Sequence, residues 1–420
     1  MSKMSTRAGN NSMLVGCFFF LSLIVFLCVL YTSPGTPPIL HKPIRSRKDG
    51  ASEQHPRDFG GDKSIIPNCE CLLSNDNDTD IENKPAKEKV SDHIKPLKGK
   101  KLMQHSLTGA LWNFKDTSDQ QLYLYETLLM KNWTINVTNI DALRTEVTEY
   151  HEKLSAEYFV MTQTNVKRQE KIRYVYGTKS KKEVTISSDF YNRLPKTNPF
   201  TLTKRFKSCA IVGNSGLLRG SHCGTAIDSN DFVFRCNLAT LGPFKEDAGS
   251  KSNFTTMNPS IVTRRHGSLA NSRYHASFNK ALSNYRGYIW VPCLGMPAFF
   301  PASYRAVKAN KGSDPKVVCG YPTHFEQSLK FWAERSLTRR LSTGFYLVMS
   351  AIQVCDELNL FGFWPFLTRY NDKEIDVPYH YFDNETVSKA KKVHSMNDEF
   401  SLLLQLHNLG VLRLHGGSCR

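Results

Sequence analysis

The chain has 420 residues, which is long enough to bury a full hydrophobic core, so its length excludes a small, core-poor protein. Hydrophobic residues make up 40% and charged residues 22%, as is ordinary for a globular protein. The formal net charge of +17, from 55 Lys and Arg against 38 Asp and Glu, favours anionic partners such as nucleic acid, acidic lipids, nucleotides or acidic glycans, without choosing among them.

The N-terminal segment predicts a membrane anchor. Residues 13–31 read MLVGCFFFLSLIVFLCVLY, 19 residues without a charge, which is about the length of a helix that crosses a bilayer. A cleaved signal peptide is the alternative, although no A-x-A cleavage site follows the run. We therefore expect a cytoplasmic tail at 1–12 and a transmembrane signal anchor at 13–31.

A polar stretch, 32–117, follows the anchor and predicts a luminal stem. It is rich in Pro, Lys, Asp, Asn and Ser and has almost no apolar periodicity. Basic residues flank the anchor on both sides, so the positive-inside rule does not orient it. Glycosylation sequons favour a luminal C-terminal body, hence a type II membrane glycoprotein. They begin at Asn77, Asn132, Asn136, Asn253 and Asn384.

Residues 118–420 predict one folded domain in which helices and strands alternate. The predicted elements are helices at 121–130, 139–154, 342–358 and 397–409, and strands at 208–214, 231–237 and 358–364. Asn397 is expected to cap the last helix and Gly410 to stop it. Alternating strands and helices indicate an α/β fold with a largely parallel sheet flanked by helices.

The cysteines suit an oxidising compartment. Two of the 11 lie in the predicted anchor, and the nine that follow can form disulfides in a luminal domain. Because nine is odd, at least one thiol stays free or pairs between chains. A zinc site is the competing interpretation; it is disfavoured because only Cys69 and Cys71 lie close in sequence and no C-x-x-C pair exists.

Two local patterns are suited to binding a phosphate group. The turn Gly213–Gly216 follows a predicted strand, so its backbone N–H groups can point at an anion, although a plain tight turn is the alternative. Leu341–Gly344 opens a predicted helix whose N-terminus is electropositive, although ordinary capping is the alternative. Neither pattern is a dinucleotide-binding or Walker A motif.

Two histidines near the C-terminus are candidates for acid–base chemistry. His380 lies in the aromatic run YHYFDN, and His394 lies 14 residues later, just before a predicted helix. A lone histidine is usually structural. Two together, close to a helix start, can supply a general base and a phosphate-stabilising cation near neutral pH.

Together these four patterns resemble the sialyl motifs of the animal sialyltransferases, glycosyltransferase family 29. The long motif corresponds to 209–262, the short motif to 340–363, the third motif to His380–Asp383 and the very short motif to His394–Glu399. The variants FVFRCN, NPSI, LSTG and FGFWPF are similar to the α2,8 branch, and that likeness extends upstream to about residue 118. The stretch KLSAEYFVMTQTN departs from it, because related α2,8 enzymes often carry a cysteine there.

The resemblance implies a fold and a set of donor-site residues. The implied fold is a single catalytic domain of variant Rossmann-like, GT-A-like type, with the donor at the carboxyl ends of the strands. His380 would contact the leaving phosphate and His394 would be the general base. The residues implied to hold the nucleotide, its phosphate and the donor pocket are Asn214, Asn237, Ser342, Thr343, Gly344, Phe363 and Trp364.

Sequence alone cannot assign disulfide connectivity. The family resemblance implies two disulfides, Cys209–Cys355 and Cys223–Cys419. The first would tie the long motif to the short one, and the second would hold the C-terminal tail. It leaves open the pairing of the other cysteines beyond the anchor, which are Cys69, Cys71, Cys236, Cys293 and Cys319.

The implied activity is inverting transfer of sialic acid from CMP-sialic acid, in α2,8 linkage, to a sialylated glycoprotein or glycolipid in the Golgi membrane. The family needs no metal or cofactor. The predicted anchor and sequons argue against a nucleic-acid partner. A homodimer is one option for the oligomeric state. The alternative function is that of a catalytically inactive Golgi glycan-binding protein with the same fold.

Overall fold

The computed structural model describes residues 118–129, 131–177, 181–201, 203–310, 314–370, 376–383 and 394–419. These all belong to one structural unit, Asn83–Arg420. The predicted tail, anchor and stem lie outside the described residues, as do Cys69, Cys71 and the sequons at Asn77 and Asn384. Within the described part of the chain, no helix is both long and apolar enough to cross a membrane.

Strands and helices alternate along most of the chain. The strands are β1 (Lys171–Arg173), β2 (Glu183–Thr185), β3 (Phe206–Val212), β4 (Phe232–Arg235), β5 (Phe254–Thr256), β6 (Tyr288–Val291), β7 (Lys316–Cys319), β8 (Cys355–Phe361) and β9 (Arg413–His415). The helices are α1 (Ser118–Leu129), α2 (Val137–Tyr150), α3 (Ser188–Arg193), α4 (Gly224–Asp228), α5 (Lys245–Ala248), α6 (Pro259–Arg265), α7 (Ser272–Leu282), α8 (Phe300–Ala309), α9 (Pro322–Ala333), α10 (Thr343–Ala351) and α11 (Met396–Asn408).

A seven-stranded sheet organises the domain, in the order β7-β6-β5-β4-β3-β8-β9. Each of its six strand pairings is parallel. All four residues of β4, Phe-Val-Phe-Arg, are buried, as expected for a strand covered on both faces. β1 and β2 form a separate antiparallel pair. The predicted α/β fold with a mostly parallel sheet flanked by helices is confirmed.

The strand order reverses between β3 and β8. From β3 the chain adds β4 to β7 on one side, and it then returns to add β8 on the other side of β3. The two central strands are in register from Phe206 opposite Cys355 to Val212 opposite Phe361. In an open parallel sheet, ligands bind outside the carboxyl ends of the strands at such a switch point. The topology therefore points to the loops that follow Val212 and Phe361.

Helices cover both faces of the sheet. In β6, Trp290 belongs to a hydrophobic cluster that contains residues of α1, α2, α10 and α11. Its neighbours Ile289 and Val291 belong to a second cluster with residues of α7 and α8. Because successive strand residues point to opposite faces, the two clusters are the cores above and below the sheet.

Two sequence expectations about helix ends are wrong. The helix predicted at 342–358 ends at Ala351, and the chain enters β8 at Cys355, opposite Phe206 of β3. A short apolar run fits a buried helix and a buried strand equally well, so periodicity could not place this boundary. The last helix begins at Met396 after Ser395, so Asn397 is not its N-cap. Gly410, with φ of 70°, follows its C-terminal residues as predicted.

Candidate active site

Two glycine-containing loops touch at the switch point. The Gly213 N–H donates to the Phe361 carbonyl at 2.7 Å, and Gly362 has a φ of 70°. A Cβ on Gly213 would lie 2.4 Å from the Gly362 carbonyl oxygen, closer than side chains approach backbone. The absence of a side chain at Gly213 therefore lets the loop after β3 reach the loop after β8. This turn therefore brings two loops together at the switch point, in addition to reversing the chain.

The two candidate asparagines follow β3 and β4 and approach each other. Asn214 donates from Nδ2 to the Cys236 carbonyl at 3.2 Å. Asn237 has a φ of 55°, and its N–H donates to Thr256 Oγ1 at 3.0 Å. The Oδ1 atoms of both asparagines are buried and accept no hydrogen bond from any described residue. Buried acceptors normally have a donor, so both are suited to N–H or O–H groups of a ligand.

Helix α10 presents its N-terminus to the same place. Ser342 caps the helix, with Oγ accepting from the Phe345 N–H at 3.1 Å. A Cβ on Gly344 would lie 3.1 Å from the Phe363 ring, and the same ring lies 3.3 Å from a Cβ built on Gly213. Phe363 thus links the helix start to the turn after β3. The N-terminal amides of α10 form a natural anion site.

Trp364 lies in a different environment from Phe363. It is 7% exposed, and its indole Nε1 donates to the Thr368 carbonyl at 2.9 Å. Its ring contacts Tyr125, Phe366 and Phe400, with centroids 4.9–5.7 Å apart. These are core contacts, so a role for Trp364 in lining the donor pocket stays a prediction.

Glu399 fixes the start of α10. This residue is 5% exposed, and its Oε1 accepts a hydrogen bond from the Ser342 N–H at 2.6 Å. Burial raises the pKa of the carboxyl to about 7, against the opposing effect of that bond. The sequence left two options, namely orienting the imidazole of His394 or stabilising its own helix. The observed contact is instead to the cap of another helix, nearly 60 residues earlier.

His394 is held by the residue that precedes this helix start. Its Nδ1 lies 2.8 Å from the Arg340 carbonyl oxygen, which can only accept. Nδ1 therefore carries the proton, and Nε2 keeps its lone pair. Burial, with the charge of Arg340, lowers the pKa of the half-buried imidazole below its ordinary value, despite the carbonyl contact. A neutral imidazole with Nε2 available is the form that a general base needs.

His380 is held from the other side of the site. Its Nδ1 lies 3.0 and 3.1 Å from the two carboxylate oxygens of Asp383, and its ring stacks on Phe382 at 5.1 Å. The next residue, Tyr381, donates its N–H to the Asn214 carbonyl at 2.9 Å. The histidine is thereby attached to the loop that carries Asn214, and its Nε2 is the nitrogen available to a ligand.

Three disulfides brace the loops around the site. Cys209–Cys355 joins β3 to β8, and Cys223–Cys419 joins the C-terminal tail to the start of α4. Both are the pairings that the family resemblance implied. Cys293–Cys319, whose pairing sequence left open, joins the ends of β6 and β7. Of the described cysteines, Cys236 alone is a free thiol, and it is buried.

A cavity of about 900 Å³, including its open mouth, adjoins the start of α10. It is formed by the segments that follow β1, β5, β6 and β7, together with the helix start. Apart from Thr343, which was expected to hold the donor, the sequence assigned no role to its residues, although three of them lie in the quoted NPSI stretch. The lining residues after β5, β6 and β7 could have been found from their position directly after strands of a parallel sheet, whereas Tyr176 and Arg340 have no such signal. Its lining includes Tyr176, Asn258, Pro259, Ser260, Pro292, Tyr321, Arg340 and Thr343.

Comparison with known proteins identifies the family. The model of glycosyltransferase family 29 (sialyltransferase) matches residues 160–411. The chain belongs to this family. The matched range contains all four motifs and begins after α1 and α2, so the resemblance inferred from the motifs is confirmed.

Curated relatives of this family member carry α2,8 names. Alpha-2,8-sialyltransferase 8F of Pan troglodytes is 36% identical over 249 residues, 58% of this chain and 61% of that protein. Alpha-N-acetylneuraminide alpha-2,8-sialyltransferase of Bos taurus is 37% identical over 239 residues, 56% and 65% respectively. The match thus spans less than two thirds of these relatives. The crystal structure of a mammalian sialyltransferase aligns with 72% of this chain and 87% of the sialyltransferase chain. The sequence identity is 19% and the TM-score is 0.36.

Proposed function

We propose that this family 29 member is an α2,8-sialyltransferase that transfers sialic acid from CMP-sialic acid to a sialylated glycan. The observation that carries the proposal is the set of groups at the switch point. Two buried, unsatisfied asparagine oxygens, on Asn214 and Asn237, stand beside the N-terminus of α10. The N–H and O–H groups of a nucleotide suit the asparagine oxygens, and the phosphate of the nucleotide suits the N-terminus of α10. The α2,8 linkage rests on the printed names of the relatives and on the motif variants.

The proposed reaction needs a base and a stabilised leaving group. The start of α10, Ser342–Gly344, and His380 would receive the charge that develops on the departing CMP phosphate. His394 Nε2 would take the proton from the acceptor hydroxyl, a contribution of ~10²–10⁴-fold for a positioned base. The acceptor would attack the anomeric carbon on the face opposite CMP and invert its configuration. No metal or cofactor takes part in this scheme.

The proposed setting is the Golgi lumen. Residues 13–31 would anchor the chain, 32–117 would form the stem, and 118–420 would be the luminal catalytic domain of variant Rossmann-like, GT-A-like type. The three disulfides support an oxidising compartment. The acceptor glycan would stand on a glycoprotein or a glycolipid.

An inactive glycan-binding protein of the same fold is the competing proposal. The His394 contact favours an enzyme, because a binding protein has no need of a neutral imidazole with a defined tautomer. The deciding measurement is release of CMP from CMP-sialic acid in the presence of sialylated and unsialylated acceptors. Release that depends on a sialylated acceptor supports the transferase. Glycan binding without any CMP release would support the alternative.

A further inference from the structure

The cavity beside α10 contains a single charged side chain. Of the described residues that line it, Arg340 alone is charged, and the others are aromatic, apolar or neutral polar. The Arg340 guanidinium lies 5.0 Å from the centre of the Tyr176 ring. Among the described residues, it has no carboxylate within salt-bridge distance. The cavity therefore offers one positive charge that no described residue neutralises.

A second group in the same cavity lacks a partner. The Tyr176 hydroxyl oxygen is buried and makes no hydrogen bond with any residue that the structure describes. Burial raises the pKa of this phenol, so it is a neutral donor at physiological pH. Tyr176 is fixed in place because its N–H donates to the Gly295 carbonyl at 2.9 Å. An unpaired cation and an unpaired O–H donor on one wall suit an anionic, oxygen-rich ligand.

The cavity is also next to the proposed base. The Arg340 carbonyl is the group that holds His394 Nδ1, so the residue whose side chain lines the cavity also fixes the imidazole. Thr343, in the first turn of α10, lines the cavity from the same side. A sugar that binds here would lie beside the segment that holds the proposed base and the phosphate site.

We infer that this cavity binds the terminal sialic acid of the acceptor glycan, and that Arg340 pairs with the carboxylate of that sugar. The inference rests on the proposed function and adds the acceptor subsite to it. The aromatic and apolar walls fit the C–H faces of a pyranose, and the few polar groups set its orientation. A neutral galactose terminus would leave the Arg340 charge unmatched. The donor also carries a sialic acid carboxylate, so the experiment must separate the two sources.

The test compares Arg340→Gln with wild type, using the full chain and two acceptors. One acceptor is a sialylated trisaccharide, and the other is the same compound with its carboxylate converted to the methyl ester. Arg340 is exposed, and an ion pair with an exposed side chain changes affinity only ~2- to 5-fold, so we expect an effect of that size. Arg340→Gln should raise the KM for the acid about two- to fivefold and leave the KM for the ester unchanged.

Two further variants sharpen the result. Arg339→Gln removes the same charge one residue away, outside the cavity lining, and should leave both acceptor KM values unchanged. Tyr176→Phe keeps the ring and removes only the unpaired hydroxyl, and should raise the KM for the acid with no change in CMP binding.

The outcomes separate the inference from the proposed function. If Arg340→Gln affects the acid and the ester equally, or has no effect, the carboxylate contact does not exist. If it raises the KM for CMP-sialic acid and slows CMP release without acceptor, Arg340 binds the donor and the acceptor assignment is wrong. In both cases wild type still transfers, so the proposed function stands. If wild type transfers to no sialylated acceptor, the function and the inference fail together.

Discussion

The contact between Glu399 and Ser342 makes a definite prediction about stability and pH. The carboxyl has a pKa of about 7 in the folded chain, against an ordinary value of 4.5. Between these values the folded chain holds a proton that the unfolded chain has released, so unfolding becomes easier as the pH rises. The stabilising contribution is thus complete below pH 4.5 and lost by about pH 7. At ~1.4 kcal/mol per pKa unit, the loss is about 3 kcal/mol.

The perturbation is Glu399→Gln. Glutamine keeps an oxygen that can accept from the Ser342 N–H, and it does not ionise. The variant should lose the pH dependence that Glu399 contributes. Its free energy of unfolding, relative to wild type, should rise by about 3 kcal/mol between pH 4.5 and pH 8. The extra N–H donors of glutamine change the free energy of unfolding by the same amount at every pH. The quantity to compare is therefore the slope of the free energy of unfolding against pH.

Denaturant unfolding at several pH values measures this slope. Asp398→Asn is the matched control, since it neutralises the neighbouring carboxylate in the same first turn of α11. The control should follow wild type closely and lose slightly less stability, because the charge of Asp398 makes a minor contribution to the raised pKa of Glu399. If Glu399→Gln and wild type lose stability in parallel from pH 4.5 to 8, the carboxyl is not protonated in the folded chain, and the burial of Glu399 has been misjudged.

Three other predictions concern activity. His394→Ala should lower turnover ~10²-fold or more and leave CMP affinity nearly unchanged. His380→Ala should reduce both turnover and donor binding. A folded His394→Ala variant with near-normal turnover would refute the base assignment. A secreted fragment that begins near residue 100 should still transfer sialic acid, and activity confined to the membrane form would place the stem boundary elsewhere. Products should carry one or a few sialic acids, because the basic stretch 177–208 is expected to be a solvated face; long polysialic chains on a product would overturn this.

The sequence predicted the architecture, the turn after β3 and the start of α10 because all three depend on local patterns. Buried parallel strands are continuous apolar runs, as in the four buried residues of β4, and they could be located without a structure. The turn at Gly213 and the helix start at Ser342 have residue types that serve one local conformation. The end of α10 was misplaced because Ile352 and Cys355 continue its apolar spacing into β8.

The proposed acceptor cavity could not be predicted, because its contacts join distant parts of the chain. Tyr176 and Arg340 meet across 164 residues, and neither position shows a local signal of binding. Cys293 and Cys319 pair because β6 and β7 are neighbours, a fact that requires the strand order. The partner of Glu399 is likewise set by tertiary packing. Local propensity contains no information about such pairs.

The short segment from Arg340 to Gly344 connects these separate findings. Its first residue presents a side chain to the cavity and a carbonyl to His394. Its third, Ser342, is fixed by Glu399, and its last, Gly344, lies against Phe363 at the proposed donor site. Donor phosphate, base and acceptor would therefore be positioned by one stretch of backbone, which is held at both ends. Because a displacement of that backbone would shift the contacts of all three groups together, their relative positions depend on this one segment. The buried carboxyl of Glu399 is thus best understood as a support for this segment rather than as a participant in proton transfer.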